Sequence, residues 1–106
     1  MSLEDDFAAL VESRLNEAEA KTGHIFRDLR ELIKTKGALR TAKLLLRPSS
    51  IGSFPYGFRV LAAHNLLSHS IEQAAIASAA SGLFTEDELQ NASTRLTLAK
   101  MMRLGR

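Results

Sequence analysis

Gly37 separates two short stretches, residues 25–36 and 38–47, that carry the same pattern twice. In the first, Phe26, Leu29 and Ile33 recur at helical spacing, while Arg27, Arg30 and Lys34 occupy i, i+3, i+7 on another face. In the second, Leu39, Ala42, Leu45 and Leu46 form the apolar side, and Arg40, Lys43 and Arg47 repeat the basic spacing. A glycine between them suits a joint where one helix stops and the next starts, because it takes a positive φ without steric penalty. Two amphipathic helices joined this tightly must bury their apolar stripes against further elements. The rest of the chain has to supply those elements.

It supplies more helices. Phe7, Leu10, Val11, Leu15 and Ala18 keep an i, i+3, i+4 rhythm that predicts a first helix over 4–21. Glu4, Asp5 and Asp6 lie where its dipole favours negative charge, and Gly23 ends it. Pro48 is expected to stop the third helix. Residues 48–57 hold two prolines and two glycines, so they read as irregular. Ile51, Phe54 and Tyr56 are too apolar for a solvated linker, and this loop is expected to lie on the core. A fourth helix is predicted at 57–66 around Phe58, Leu61, Ala62 and Leu66. A fifth follows Ser70, whose spacing to Gln73 suits a capping box, and runs to about residue 81 before Gly82. Thr85 with Glu88 is a second capping signature, opening a last helix from 86 to about 103 with Leu89, Ala92, Leu96 and Ala99 inward. Arg95, Lys100 and Arg103 are expected to complement its C-terminal end. No strand-like alternation occurs. The expected fold is all-α, a compact bundle of about six short helices in a single domain over 1–106, with Met1–Leu3 read as a vector-derived leader.

Charge is unevenly placed. The net value is +2, but residues 1–20 carry six acids and one base whereas residues 21–47 carry eight bases and two acids. One account is mutual neutralisation across a helix pair. The other is a free basic surface made by Arg27, Arg30, Lys34, Arg40, Lys43 and Arg47, able to meet nucleic-acid phosphates or an acidic partner. Base reading is not expected. The helix after Ser70 would be the recognition helix of a helix-turn-helix, yet it carries no arginine or lysine. The aromatics do not interleave with the basic residues along the chain, as a single-strand platform requires.

Chemistry is sparse. With no cysteine, disulfides and thiolate catalysis are excluded, and a reducing cytoplasm is the expected setting. His24, His64 and His69 are the only imidazoles, and the spacing of the last two does not put them on one helical face, so no metal site is expected. Ser53, in Gly52-Ser53-Phe54-Pro55, lacks the second glycine of a nucleophile elbow and the strand that precedes one. Glu72 is a lone acid on an apolar helix, read as helix-start electrostatics. No phosphate-cradling glycine pattern, cofactor signature or membrane-length apolar run is present. The expectation is therefore no catalysis and no cofactor.

Apolar positions exceed what a small bundle needs. Ala74, Ala75 and Ala77 allow close helix approach, and with Met101 and Met102 they form a candidate helix-face interface for a protein partner or a second copy.

The positions Gly37, Ala42, Leu44, Leu45, Gly57-Phe58, Leu61, Glu72, Leu83-Phe84-Thr85, Glu88-Leu89, Ala92 and Arg95-Leu96 together resemble a small helical module of bacterial proteins, sometimes found beside nuclease or other restriction-related domains. The resemblance spans somewhat over half the chain. It implies an accessory role in a bacterial cytoplasm and assigns no catalytic residue. The chain departs from that pattern in its polar Asn65-to-Ser70 turn and its alanine-rich fifth helix.

Overall fold

Local stops in the sequence, at Gly23, Gly37 and Asn65 among the described residues, set where the chain folds back on itself. In the computed structural model, which describes residues 2–47 and 54–101, α1 spans Leu3–Thr22, α2 Arg27–Lys36, α3 Ala38–Leu45, α4 Tyr56–Ala63, α5 Ile71–Ala77 and α6 Glu86–Met101. Short 3₁₀ turns fill Leu67–His69 and Ala79–Ser81. No strand occurs among the described residues, so the fold is an all-α bundle.

α1 opens with a full capping box: Ser2 Oγ accepts from Asp5 N, and the Asp5 carboxylate accepts from Ser2 N. It closes at Gly23 in the left-handed region (φ 72), where the glycine N–H donates to the Glu19 carbonyl. Gly37 has φ 88 and ψ 158, a conformation nearly closed to residues with a Cβ, and it turns α2 directly into α3. α4 stops earlier than its apolar spacing suggests. Asn65 takes φ 60, its N–H bonds the Ala62 carbonyl, and the Leu66 N–H reaches back to Leu61 at 2.7 Å. That is a Schellman ending with asparagine in the glycine position.

The fifth helix is likewise shorter than expected. It starts at Ser70 as read, with Ser70 Oγ accepting from Gln73 N, which is one half of the expected capping box. After Ala77 the chain tightens to a 3₁₀ turn, because the Ser81 hydroxyl donates to the Ser78 carbonyl and accepts from the Leu83 N–H. Serines that bond nearby backbone compete with helix propagation. The Thr85–Glu88 capping box forms as read, with Thr85 N donating to Glu88 and Glu88 N to Thr85 Oγ1.

α1 lies along the core and buries Phe7, Val11, Leu15 and Ala18. Around them gather Phe26, Ala38, Ala42, Leu46, Leu61, Ile71, Ala74, Ala75, Phe84 and Ala92. Phe7 and Phe84 meet edge to face at 5.1 Å. A smaller cluster of Phe58, Leu96 and Ala99 joins α4 to the far half of α6, with Phe54 stacked on Phe58. Phe54 therefore meets the expectation that the loop lies on the core. Tyr56 does not, being 71% exposed. Pro48 and Ile51, and with them most of that loop, lie outside the described residues.

Candidate binding groove and its buried ion pair

The turn between α1 and α2 is held by a single carboxylate. Glu19 Oε2 accepts from the Phe26 N–H at 3.0 Å and from Arg30 Nε at 2.9 Å, and Glu19 Oε1 accepts from Arg30 Nη2 at 2.8 Å. Arg30 Nη2 also donates to Asn16. This fork-on-carboxylate arrangement holds Glu19 below the ordinary range, chiefly through the Arg30 hydrogen bonds, and raises Arg30 above its own. It fixes Gly23–Phe26 as a rigid lip with Phe26 turned into the core and Ile25 left 54% exposed.

Opposite that lip, α4 starts with Tyr56 and Gly57. A Cβ on Gly57 would stand 3.0 Å from the Phe26 ring, so glycine is what lets α4 approach so closely. His24 packs edge-on to both Phe26 and Tyr56, with ring centroids 4.8 and 5.3 Å away. Between lip and helix opens a cavity of about 610 Å³, walled by Leu29 and Leu32 of α2, Leu45 of α3, and Phe58 and Leu61 of α4. Ser70, Ile71 and Glu72, from the start of α5, form its inner wall. This is ligand-pocket size, and its walls are mostly apolar with few polar groups.

Behind that wall lies the most charged spot in the interior. Arg95 of α6 is fully buried, and its Nη1 donates to Glu72 Oε2 at 2.5 Å, with the Glu72 side chain only 4% exposed. Arg95 does not serve the helix end, the role its spacing suggests; Glu72 does stand in the first turn of α5, as read, and is in addition a counter-charge in the core. One trace of this is legible afterwards. Arg95 sits among Ala92, Leu96 and Ala99 on the buried stripe of α6, where an arginine needs an anion, and Glu72 is the single acid between Glu31 and Glu86.

The six residues of the predicted basic surface divide. Arg30 is committed to Glu19 on α1. Lys43 bonds Glu88 at 2.8 Å and lies over the Phe84 ring at 5.3 Å, tying α3 to the start of α6. Burial pushes Glu88 up, but its bonds from Lys43 and from Thr85 outweigh that and leave it lowered. Arg27, Lys34, Arg40 and Arg47 are exposed, and only Arg27 lines the cavity. Arg30 and Lys43 are thus neutralised by carboxylates of α1 and α6, while the other four stay exposed to solvent.

The candidate helix-face interface also divides. Ala74 and Ala75 are buried in the chain's own core, where α5 packs on α6, so the close approach they allow is spent inside the domain. Ala77 and Met101 are exposed, and Met102 lies outside the described residues. The would-be recognition helix α5 has Ile71, Glu72, Ala74 and Ala75 buried. His64 ends α4 as its C-cap. His69 bonds Glu17 of α1, and Glu17 is pulled down to about 2 by hydrogen bonds from Lys21 and His69. No group of three or more His, Cys, Asp or Glu side chains among the described residues is arranged to hold a metal ion. No helix among them is long and apolar enough to cross a membrane.

Ile25 and Tyr56 as exposed apolar residues were not singled out as a site by their spacing, because the ring contact that joins lip to α4, His24 on Tyr56, spans thirty-two positions of sequence. The same contact sets an aromatic ring beside the Arg27-lined groove, an interleaving absent from the linear order. Comparisons with protein-family models, with curated proteins and with solved structures find no match for this chain.

Proposed function

We propose that this chain is a non-catalytic binding module that receives an apolar segment of another protein in the groove between the Gly23–Phe26 lip and α4. The observation that carries this reading is the pair Ile25 and Tyr56, 54% and 71% exposed at either side of a cavity whose walls are apolar. Exposed aromatics at the edge of an apolar cleft are the residues that anchor protein interfaces. A rigid lip favours binding because little ordering is left to be done on contact. The Glu72–Arg95 pair supports a binding role over a catalytic one. An ion-paired carboxylate with its partner at 2.5 Å is a poor general base, and His24 is wedged between two rings. The likeness to bacterial accessory modules agrees with such a role in the cytoplasm.

The test is a titration of the isotope-labelled chain with an amphipathic peptide of neutral polar face, read as amide shifts. Shifts confined to residues 23–32 and 55–61, and lost in Tyr56→Asp, are expected. Shifts spread over α1 or α6, or none at all, would overturn the reading. A second reading, contact with nucleic-acid phosphates, rests on the exposed Arg27, Lys34, Arg40 and Arg47. It predicts binding that collapses steeply with salt, where apolar contact hardly changes.

A further inference from the structure

We infer that the groove selects a tyrosine as the residue that enters it: the ring fills the apolar space while its hydroxyl donates to Glu72 Oε1 and accepts from Ser70 on the inner wall. This rests on the groove receiving a protein segment and names the side chain that anchors it. Glu72 and Ser70 both line the cavity although they are only 3% and 1% exposed. Arg95 Nη1 donates to Glu72 Oε2, and no described residue donates to Oε1. Oε1 is thus an acceptor in a buried side chain whose partner has to come from the cavity. Ser70 Oγ accepts from Gln73 N, and its own O–H has no acceptor among the described residues. One wall of an apolar cavity therefore presents an acceptor and a donor, two positions apart in sequence, each with a bond still to make.

An occupant that displaces water from this wall has to replace the hydrogen bonds that water makes there. A lysine or arginine would bring a second cation to a carboxylate that Arg95 already balances. An aspartate or glutamate would bring a like charge and no donor. Arg27 and Asp28, the other acid and base on the described lining, offset one another, so nothing there favours an ion. Serine, threonine, asparagine and glutamine carry suitable groups but too little apolar surface to cover Leu29, Leu32, Leu45 and Leu61. Tryptophan donates only and would leave the Ser70 O–H unmet. Tyrosine joins a large apolar ring to a hydroxyl that both donates and accepts. The chain's single tyrosine, Tyr56, stands on the rim of its own groove, edge-on to His24 at 5.3 Å. The entering ring therefore comes from the partner segment.

The experiment uses the full chain and one labelled amphipathic peptide of neutral polar face, followed by fluorescence anisotropy. The centre of its apolar face is tyrosine, phenylalanine or O-methyltyrosine. The tyrosine peptide is expected to bind roughly tenfold or more tighter than the phenylalanine peptide, whose ring covers Oε1 without bonding it. O-methyltyrosine keeps the oxygen and lacks the proton, so it should bind no better than phenylalanine. The gap should hold as salt rises, because the bond is buried. Glu72→Leu with Arg95→Met removes the charged acceptor and keeps apolar volume, and it should bring the tyrosine peptide down to the level of the phenylalanine peptide. If that variant does not fold, the three peptides on the unaltered chain decide alone. Tyr56 is exposed, so Tyr56→Asp keeps the fold and serves as the groove control. Equal affinity for tyrosine and phenylalanine, both lost in Tyr56→Asp, overturns the selection and leaves the groove as a binding site. A gap that survives in Glu72→Leu with Arg95→Met overturns Glu72 as its cause. No binding by any peptide, or binding untouched by Tyr56→Asp, overturns both readings. A dimer in sedimentation that excludes the peptides overturns the partner segment in favour of a second copy.

Discussion

Consider removing the carboxylate that faces Arg95. Glu72→Gln keeps the shape of the side chain and deletes its charge, removing the anion 2.5 Å from a fully buried guanidinium. At 0% and 4% side-chain exposure solvent cannot screen the change, so the surface-pair range of about 0–1 kcal/mol does not apply. The relevant range is that for breaking a buried pair, about 3–5 kcal/mol. A domain of this size has roughly 5–15 kcal/mol in total, so the variant should lose about a fifth or more of its stability. With a urea slope of roughly 1–3 kcal/mol/M, the unfolding midpoint followed by circular dichroism should fall by about 1–5 M.

The stronger test is the double replacement. Glu72→Leu with Arg95→Met removes both desolvated charges and keeps apolar volume, and exchanges of that kind are neutral or stabilising by about 1–4 kcal/mol. The double variant should therefore be more stable than either Glu72→Leu or Arg95→Met alone. That ordering, not the size of any single loss, carries the reasoning. If the double variant is as unstable as the sum of the singles, the two charges do not compensate one another, and the pair is not what holds α5 to α6.

Three further outcomes follow from local geometry. Gly37→Ala should cost about 1–3 kcal/mol in thermal or urea unfolding, because φ 88 with ψ 158 is strained for any side chain even though nothing crowds the site. Gly57→Ala should destabilise too, by about 1–3 kcal/mol of overpacking against the buried Phe26 ring at 3.0 Å less up to about 1 kcal/mol of gained helix propensity, and it should shift the amides of 24–27. Glu17, Glu19 and Glu88 all have folded pKa values below the ordinary carboxylate, so their contribution is full above about 4.5 and is lost as pH falls through the folded values, about 2 for Glu17. Urea midpoints measured from neutral to strongly acid pH should decline on that side, and Arg30→Gln should flatten the part that Glu19 contributes.

What the sequence made legible was whatever is decided within a few residues. The stop at Gly23, the joint at Gly37 and the Thr85–Glu88 box are each settled by groups three or four positions apart, and each stands where its residues put it. The basic stripes were legible as periodicity, but not as a surface, because the partners that withdraw Arg30 and Lys43 lie eleven and forty-five positions away. The groove was not legible at all. Its lip depends on Glu19 capturing Arg30, its width on Gly57 meeting Phe26, and its inner wall on Arg95 reaching Glu72 across twenty-three positions.

The same three long-range contacts explain why a chain of ordinary amphipathic helices holds an open cavity instead of collapsing onto it. Leu29, Leu32, Leu45 and Leu61 would gain by closing the space. Glu19 and Arg30 hold the α1–α2 turn in place from one side, and from the other α4 already meets the buried Phe26 ring at Gly57. Glu72 cannot move outward with α5 without drawing its carboxylate away from a buried guanidinium. The polar contacts thus act against hydrophobic closure, and releasing one should show it. Arg30→Ala, which frees the lip while leaving every groove-lining side chain intact, should weaken a groove-bound peptide although it touches none of the peptide's own contacts. If affinity for the peptide is unchanged while the chain remains folded, the groove is shaped by its apolar walls alone and the Glu19 clamp has no part in it.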